Sequence, residues 1–203
     1  LQWTSANGAP GTGPGELGPH LAAALATDER VVIVDPQNAR LTWFGSDGPS
    51  LVPRHSTRIE MSGVDVCVLG ERVFVLTTVG PHLVHELGPD GSLVRSFADR
   101  LEPRGEVARQ VGNADHLVNH AFLACDSSTD VVAIAHTFTP EVRAFTADGQ
   151  ALWAVDLLDY EQQQFRRVGG ACCAYLIPNP ESGGYHITDA VLSVDGVAYL
   201  SLR

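Results

Sequence analysis

Short apolar bursts separated by polar turns run along most of this chain. "VVIV" at 31–34, "VDVCVL" at 64–69, "RVFVLT" at 72–77 and "VVAIA" at 131–135 are rich in Val, Ile, Leu and Phe. Runs of that length and composition, bounded by Gly, Pro, Asp and Asn, read as strands. Asp-Gly pairs at Asp47-Gly48, Asp90-Gly91 and Asp148-Gly149 fall between such runs. Asp-Gly is a strong hairpin signal, with both turn residues expected at positive φ. The longest apolar runs fall far short of the roughly 20 residues of a membrane-spanning helix. Short helical turns are expected only at Arg104–Val111 and Glu161–Val168.

The pattern repeats. Leu21–Val52, Val64–Phe97 and Ala121–Val155 each carry a β-rich run, a polar turn, a second run, an Asp-Gly turn and a third run. The Asp-Gly pairs are 43 and then 58 residues apart, the second interval holding an insertion within Asp99–Val118. In the second copy the strands are expected at Val64–Leu69, Arg72–Thr78, His82–Leu87 and Ser92–Phe97. A fourth copy begins at Ala190, and Leu1–Thr4 reads as the outer strand of a preceding one. Four antiparallel strands every 40 to 45 residues is the spacing of a β-propeller blade. The expected fold is therefore all-β: a single partial β-propeller domain with about 3.75 four-stranded blades present. Residues 1–18 hold the outer strand of the preceding blade and a Gly-rich loop. Blades span 19–57, 58–101 and 119–158, insertions span 102–118 and 159–188, and 189–203 starts the next blade. A propeller closes into a ring to hide its edges, so further blades are expected beyond both ends.

Composition narrows the partners. The chain has 203 residues and a formal charge of −11, and all 13 of its basic residues are Arg. An acidic chain without a basic run lacks the clustered cations that phosphate contact needs, which excludes nucleic acid. Cys67 and Cys125 lie inside apolar runs and read as small buried residues. Adjacent residues rarely form an unstrained bridge, so the Cys172-Cys173 pair has no assignment.

At Gly11–Gly48 the residues resemble the NHL-type six-bladed β-propellers, most closely those of bacterial cell envelopes. Gly11–Leu17 matches that family's inter-blade phrase Gly-x-Gly-Pro-Gly-Glu-(Leu/Phe). Val32, Val34, Asp35, Asn38, Arg40, Leu41, Phe44 and Gly48 match the strand–turn–strand pattern that follows. The match is sharp over about 40 residues and decays later. The third blade keeps an Arg at Arg143 and an aromatic at Phe145 but loses the Asp. The resemblance implies six blades in the complete ring and a periplasmic or extracellular location. Independently of family, Asp35 and Asn38 are suited to bond turn backbone, and Arg40 can pair with Asp35 across the hairpin.

The resemblance also implies that inter-blade connections and second-to-third-strand turns share the functional face. Two such connections, Asp99–Asn119 and Tyr160–Thr188, are long, and long loops on rigid scaffolds concentrate binding. They supply the candidate ligand-binding residues Asp115, His116, Asn119 and Tyr185. His20, His120 and His186 each precede a strand residue (Val31, Val131, Val197) by 11 positions. Imidazoles converging from separate strands suit zinc, so these three are the candidate metal ligands. The zinc-dependent amidating lyases of the NHL group use inner-strand histidines, but here His20 and His120 lie one residue before the family's position. Lactonase-like propellers bind calcium with Glu, Asn and Asp, for which Asp115, Asn119, Glu181 and Asp189 are positional candidates. No Gly-x-Ser-x-Gly elbow, P-loop or His-Glu-x-x-His appears. The expected function is a non-enzymatic binding or scaffold propeller for a protein, peptide or glycan. The alternative is a zinc- or calcium-dependent lyase or lactonase-type hydrolase at the channel mouth.

Overall fold

The computed structural model describes residues 10–13, 15–26, 30–48, 50–103, 114–161, 163–169, 175–181, 183–184, 186–192 and 198–202. It divides into two compact units, Leu1–Phe97 and Ala98–Arg203.

In the first unit, β1 (Ala22–Leu25), β2 (Val31–Asp35), β3 (Arg40–Asp47) and β4 (Ser50–Arg58) form one four-stranded sheet in chain order. Then β5 (Gly63–Leu69), β6 (Arg72–Thr77), β7 (His82–Leu87) and β8 (Leu93–Asp99) form a second. The strands within each are antiparallel neighbours, as chain order with short turns demands. Val32, Val34, Leu41 and Trp43 from the first sheet meet Val66, Val68, Val73 and Val75 from the second in one apolar core. The first strand of the second sheet, β5, lies against β1 and β2. Gly63 marks that close approach. A Cβ there would lie 2.5 Å from Val75 Cγ1 and 2.7 Å from Val34 Cγ2, so only a hydrogen fits. Polar groups are paired inside the second sheet as well. Glu86, nearly buried, receives Arg72 at 2.8 Å and Arg95 at 2.7 Å.

The second unit repeats the design with β9 (Ala121–Asp126), β10 (Val131–His136), β11 (Glu141–Thr146) and β12 (Ala151–Asp156). It adds two hairpins, β13 (Phe165–Val168) with β14 (Tyr175–Pro178), and β15 (Ile187–Leu192) with β16 (Ala198–Leu202). β15 lies against β9 and β10. Ala135, Val142 and Ile187 form the core between them, with Phe122, Leu157, Tyr160 and Leu200 at its margin. A single short helix, α1 (Ala114–Val118), precedes β9 among the described residues.

Four expectations need correction. At Asp47-Gly48, Asp90-Gly91 and Asp148-Gly149 only the glycine takes positive φ, at 59°, 80° and 85°. Gly91 is doubly constrained, because a Cβ there would also lie 2.5 Å from the Arg58 carbonyl oxygen. None of the described residues of Glu161–Val168 is helical. Phe165–Val168 instead pairs with Tyr175–Pro178, which satisfies its backbone groups across a ladder rather than within a turn. Cys67 is buried as expected and Cys125 is only half-buried, but neither is a free thiol, for each is disulfide-bonded. The third blade lacks the Asp as expected, but Arg143 does not hold the Arg position of the pattern, since it pairs with Ile134 two residues inside the ladder. The expected strand at Leu1–Thr4, the expected helical turn at Arg104–Val111 and the Cys172-Cys173 pair lie outside the described residues.

Candidate functional site

The conformation of the connections before each blade decides what that end of a sheet can do. In the first unit this role falls to Asp35, Asn38 and Arg40. Asp35 ends β2 and is fully buried. It accepts hydrogen bonds from the Gly18 N–H (3.0 Å), the Asn38 N–H (3.1 Å) and the Asn38 side-chain amide (2.7 Å), with the Arg40 guanidinium at 3.5 Å. Burial by itself would raise its carboxyl pKa. The hydrogen bonds from Asn38 and Gly18, and the charge of Arg40, outweigh this and hold it below its ordinary value. Asn38 also donates to the Gly11 carbonyl at 3.0 Å, and Arg40 donates to the carbonyls of Gly13 (2.9 Å) and Glu16. The Asp, Asn and Arg of the sequence pattern thus tie the glycine-rich loop to the β2–β3 hairpin. Their role here is structural.

In the second unit His136 ends β10 as Asp35 ends β2, with four turn residues before the next strand in each case. His136 is also fully buried. Its Nδ1 lies 3.1 Å from the Val118 carbonyl oxygen, and its Nε2 lies 2.9 Å from the Arg143 guanidinium. Only one tautomer satisfies both neighbours: Nδ1–H donates to the carbonyl and bare Nε2 accepts from Arg143. Burial, reinforced by the Arg143 charge, pushes the imidazole pKa down to about 3, so it is neutral at physiological pH. Arg143 donates onward to the Asp99 carbonyl at 2.7 Å and lies 3.3 Å from Glu141. The register places Glu141, not Arg143, at the hairpin position of Arg40, since Arg143 pairs with Ile134 two residues inside the ladder. Sequence alignment on the Arg alone therefore missed His136. Alignment on the four-residue turn would have found it.

Asn119, a candidate ligand residue, is fully buried. Its side-chain oxygen accepts from the Leu101 N–H at 2.8 Å, and its amide donates to the carbonyls of Leu101 (3.0 Å) and Asp115 (2.9 Å). It clips the start of the long connection onto α1. Asp115, on α1, has its carboxylate 2.5 Å from Arg100. His116 is exposed, with its ring edge-on to that of His120 at 5.9 Å. His120 is half-buried, with Nδ1 2.8 Å from the Thr137 hydroxyl. Burial, and then the charge of His116, lower its pKa. Phe138 lies beside both His120 (6.1 Å between ring centroids) and His186 (6.0 Å), and meets Phe165 edge-on at 5.2 Å. His20 is an exposed residue of the first unit. Tyr185 lies outside the described residues. Among the described residues, no group of three or more His, Cys, Asp or Glu side chains could hold a metal ion.

The clips frame a cavity of ≈ 280 Å³ in the second unit. Leu101, Leu117, Val118, Phe138, Pro140 and Phe165 give it apolar and aromatic walls, and Glu102, Glu141, Asp156 and Thr139 give it polar groups. Two buried side chains and one half-buried one hold those walls. Asn119 fixes Leu101, His136 fixes Val118, and Arg143 holds Glu141. The β10–β11 turn, the connection carrying α1 and the start of β13 all contribute. A concave, mostly apolar site with a few convergent polar groups is the usual form of a ligand pocket. Sequence reasoning found the connections but not Phe138, Glu141, Asp156 or Phe165, which ordinary strand patterning hides.

No family model matches the chain, and no curated protein matches it in sequence. Among solved structures it is similar to a glutaminyl cyclase of Myxococcus xanthus, with TM-score 0.53 and 13% identity over 90% of this chain and 67% of that one. It is also similar to BamB of Moraxella catarrhalis, with TM-score 0.45 and 16% identity over 88% of this chain and 48% of that one. Virginiamycin B lyase of Staphylococcus aureus gives TM-score 0.48 and 9% identity over 88% and 47%. The chain spans about half the length of the latter two. The fold is a β-propeller. Likeness at such identity establishes the propeller alone, because one fold hosts many functions.

Proposed function

We propose that this chain belongs to a non-enzymatic binding or scaffold propeller of the NHL type, located in the periplasm or outside the cell. Its ligand, a protein, peptide or glycan, docks on the connections around the second unit's cavity. The cavity carries this reading: it has aromatic walls and an acidic rim, and buried side chains pre-form it. Pre-organisation lowers the cost of ordering a site on binding. Asp115, His116 and Asn119 belong to the helix and turn that form one wall, and they are the residues through which a larger ligand would be felt. The disulfide-bonded Cys67 and Cys125 favour an oxidising compartment. No helix among the described residues is long and apolar enough to cross a membrane.

The test is a peptide and glycan array probed with the native chain and with Phe138→Trp, a substitution that fills the cavity. Loss of at least one class of hits in the variant, at unchanged melting temperature, is the expected result. A variant that keeps every hit would sink the site. A stoichiometric metal in the native protein that is lost in His20→Ala and His120→Ala would instead replace this reading with the metal-dependent enzyme.

A further inference from the structure

We infer that the cavity takes the side chain of a lysine presented by a partner peptide. The inference rests on the binding reading above and names the chemistry of its ligand. Phe138 and Phe165 meet edge-on at 5.2 Å in the lining, and a ring face attracts an ammonium group. Leu117 and Val118 supply apolar wall for a hydrocarbon stem, which lysine buries readily. At the polar side stand three carboxylates, Glu102, Glu141 and Asp156, and among the described residues none that lines the cavity is basic. Glu141 is already balanced by Arg143 at 3.3 Å. Glu102 and Asp156 line the cavity and have no ion-pair partner among the described residues.

A fourth group points the same way independently of the acids. The Thr139 hydroxyl oxygen is buried in the lining and makes no hydrogen bond among the described residues. Buried polar atoms are normally satisfied, and an ammonium, with three donors and no acceptor, complements hydroxyl and carboxylate oxygens alike. A carboxylate or phosphate ligand would meet like charge at the same place. A guanidinium would fit the charge, but it presents a planar fork of donors rather than a compact point charge on a slender stem. The overall charge of −11 draws a cationic peptide toward the chain at low ionic strength.

The experiment uses the full chain and three capped probes: a pentapeptide with central lysine, its norleucine counterpart and n-butylammonium. Binding is followed by calorimetry and by chemical shifts of Phe138 and Phe165. The lysine peptide should bind at least tenfold more tightly than the norleucine peptide and weaken with added salt. That preference should vanish in the double variant Glu102→Gln, Asp156→Asn. The chain has no lysine of its own. A zero-length carbodiimide coupling should therefore join the peptide amine to Glu102 or Asp156 with little internal competition. Equal binding of lysine and norleucine peptides overturns the inference while leaving the cavity a binding site. Butylammonium binding as tight as the peptide overturns the peptide as its source. Failure of all three probes at millimolar concentration overturns the inference, and the Phe138→Trp array then judges the site separately.

Discussion

The hairpin ends of the first and third blades do the same work with opposite chemistry. At Asp35 a buried anion collects N–H donors from Gly18, Asn38 and Arg40. At His136 a buried neutral ring donates to the Val118 carbonyl and accepts from Arg143. Both hold the connection that leads into their own sheet. The first and third blades therefore share a topological task, fastening a connection to a four-residue turn, and differ in the polarity of the fastening. The difference has consequences. A carboxylate tolerates donors only, whereas an imidazole of fixed tautomer needs one acceptor and one donor in set places.

Exchanging the two residues is the severest test of that difference. His136→Asp sets a carboxylate against the Val118 carbonyl oxygen, and Asp35→His removes the acceptor from the Gly18 and Asn38 N–H groups. Breaking a buried charged partnership costs about 3–5 kcal/mol, and each exchange should cost that much in urea denaturation of the full chain. Hydrogen exchange should place the loss in the first unit for Asp35→His and in the second for His136→Asp. A cost under about 1 kcal/mol for either, within the range of an ordinary surface change, would show that shape alone matters at these positions.

Acid should separate the two without mutation. The folded-state pKa of His136 lies at about 3 against an ordinary 6.5, so as pH falls the unfolded chain takes up the proton first. Its contribution is whole above pH 6.5 and declines as pH falls toward 3, by up to about 1.4 kcal/mol per pH unit. The Asp35 pKa is lowered from 3.8, so its contribution persists above that value and is lost only as pH falls further. Between pH 6 and 4 the second unit should therefore lose more protection from hydrogen exchange than the first, whose buried His85, its pKa also lowered by burial, contributes an acid loss of its own. His136→Gln keeps a donor and an acceptor without a titrating group and should flatten that slope. An unchanged slope in the variant would assign the acid sensitivity elsewhere.

The comparison also explains what was legible in the sequence. Strand runs, Asp-Gly turns and the Asp35–Asn38–Arg40 set are local patterns, and local patterns survive translation into structure. His136 was missed because its partners, Val118 and Arg143, lie 18 and 7 residues away, and because the Arg of the pattern was aligned on Arg143, two residues inside the ladder. Asn119 was found for its polarity and its place in a long connection, yet its amide is bound to Leu101 and Asp115. The cavity itself arises where a turn, a connection and an added hairpin converge, and no single segment announces such convergence. The hairpin β13–β14 escaped notice because its Gln-rich approach resembles helix more than strand.

Asn119 offers a milder test of the second unit's fastening. Asn119→Leu leaves the Leu101 N–H and C=O without their side-chain partner. An unsatisfied buried pair costs about 1–3 kcal/mol. Lysine-peptide binding should fall with it, because Leu101 lines the cavity. Retention of full affinity at reduced stability would separate the clip from the site.

The smallest effect belongs to a charge pair that lacks burial. Arg30 meets Glu71 at 3.1 Å and lies 4.7 Å over the Trp43 ring, but the Glu71 side chain is 84% exposed. This pair joins the same two sheets whose core contains Val34, the neighbour of Asp35. A double-mutant cycle of Arg30→Ala and Glu71→Ala should give a coupling of only about 0.2–1 kcal/mol, shrinking with salt, as exposed pairs do. Arg30→Ala alone should cost somewhat more than the coupling, since it also uncovers Trp43. If that cycle matched the cost of Asp35→His, charge rather than burial would be what makes a fastening strong, and the contrast between Asp35 and His136 would lose its physical basis.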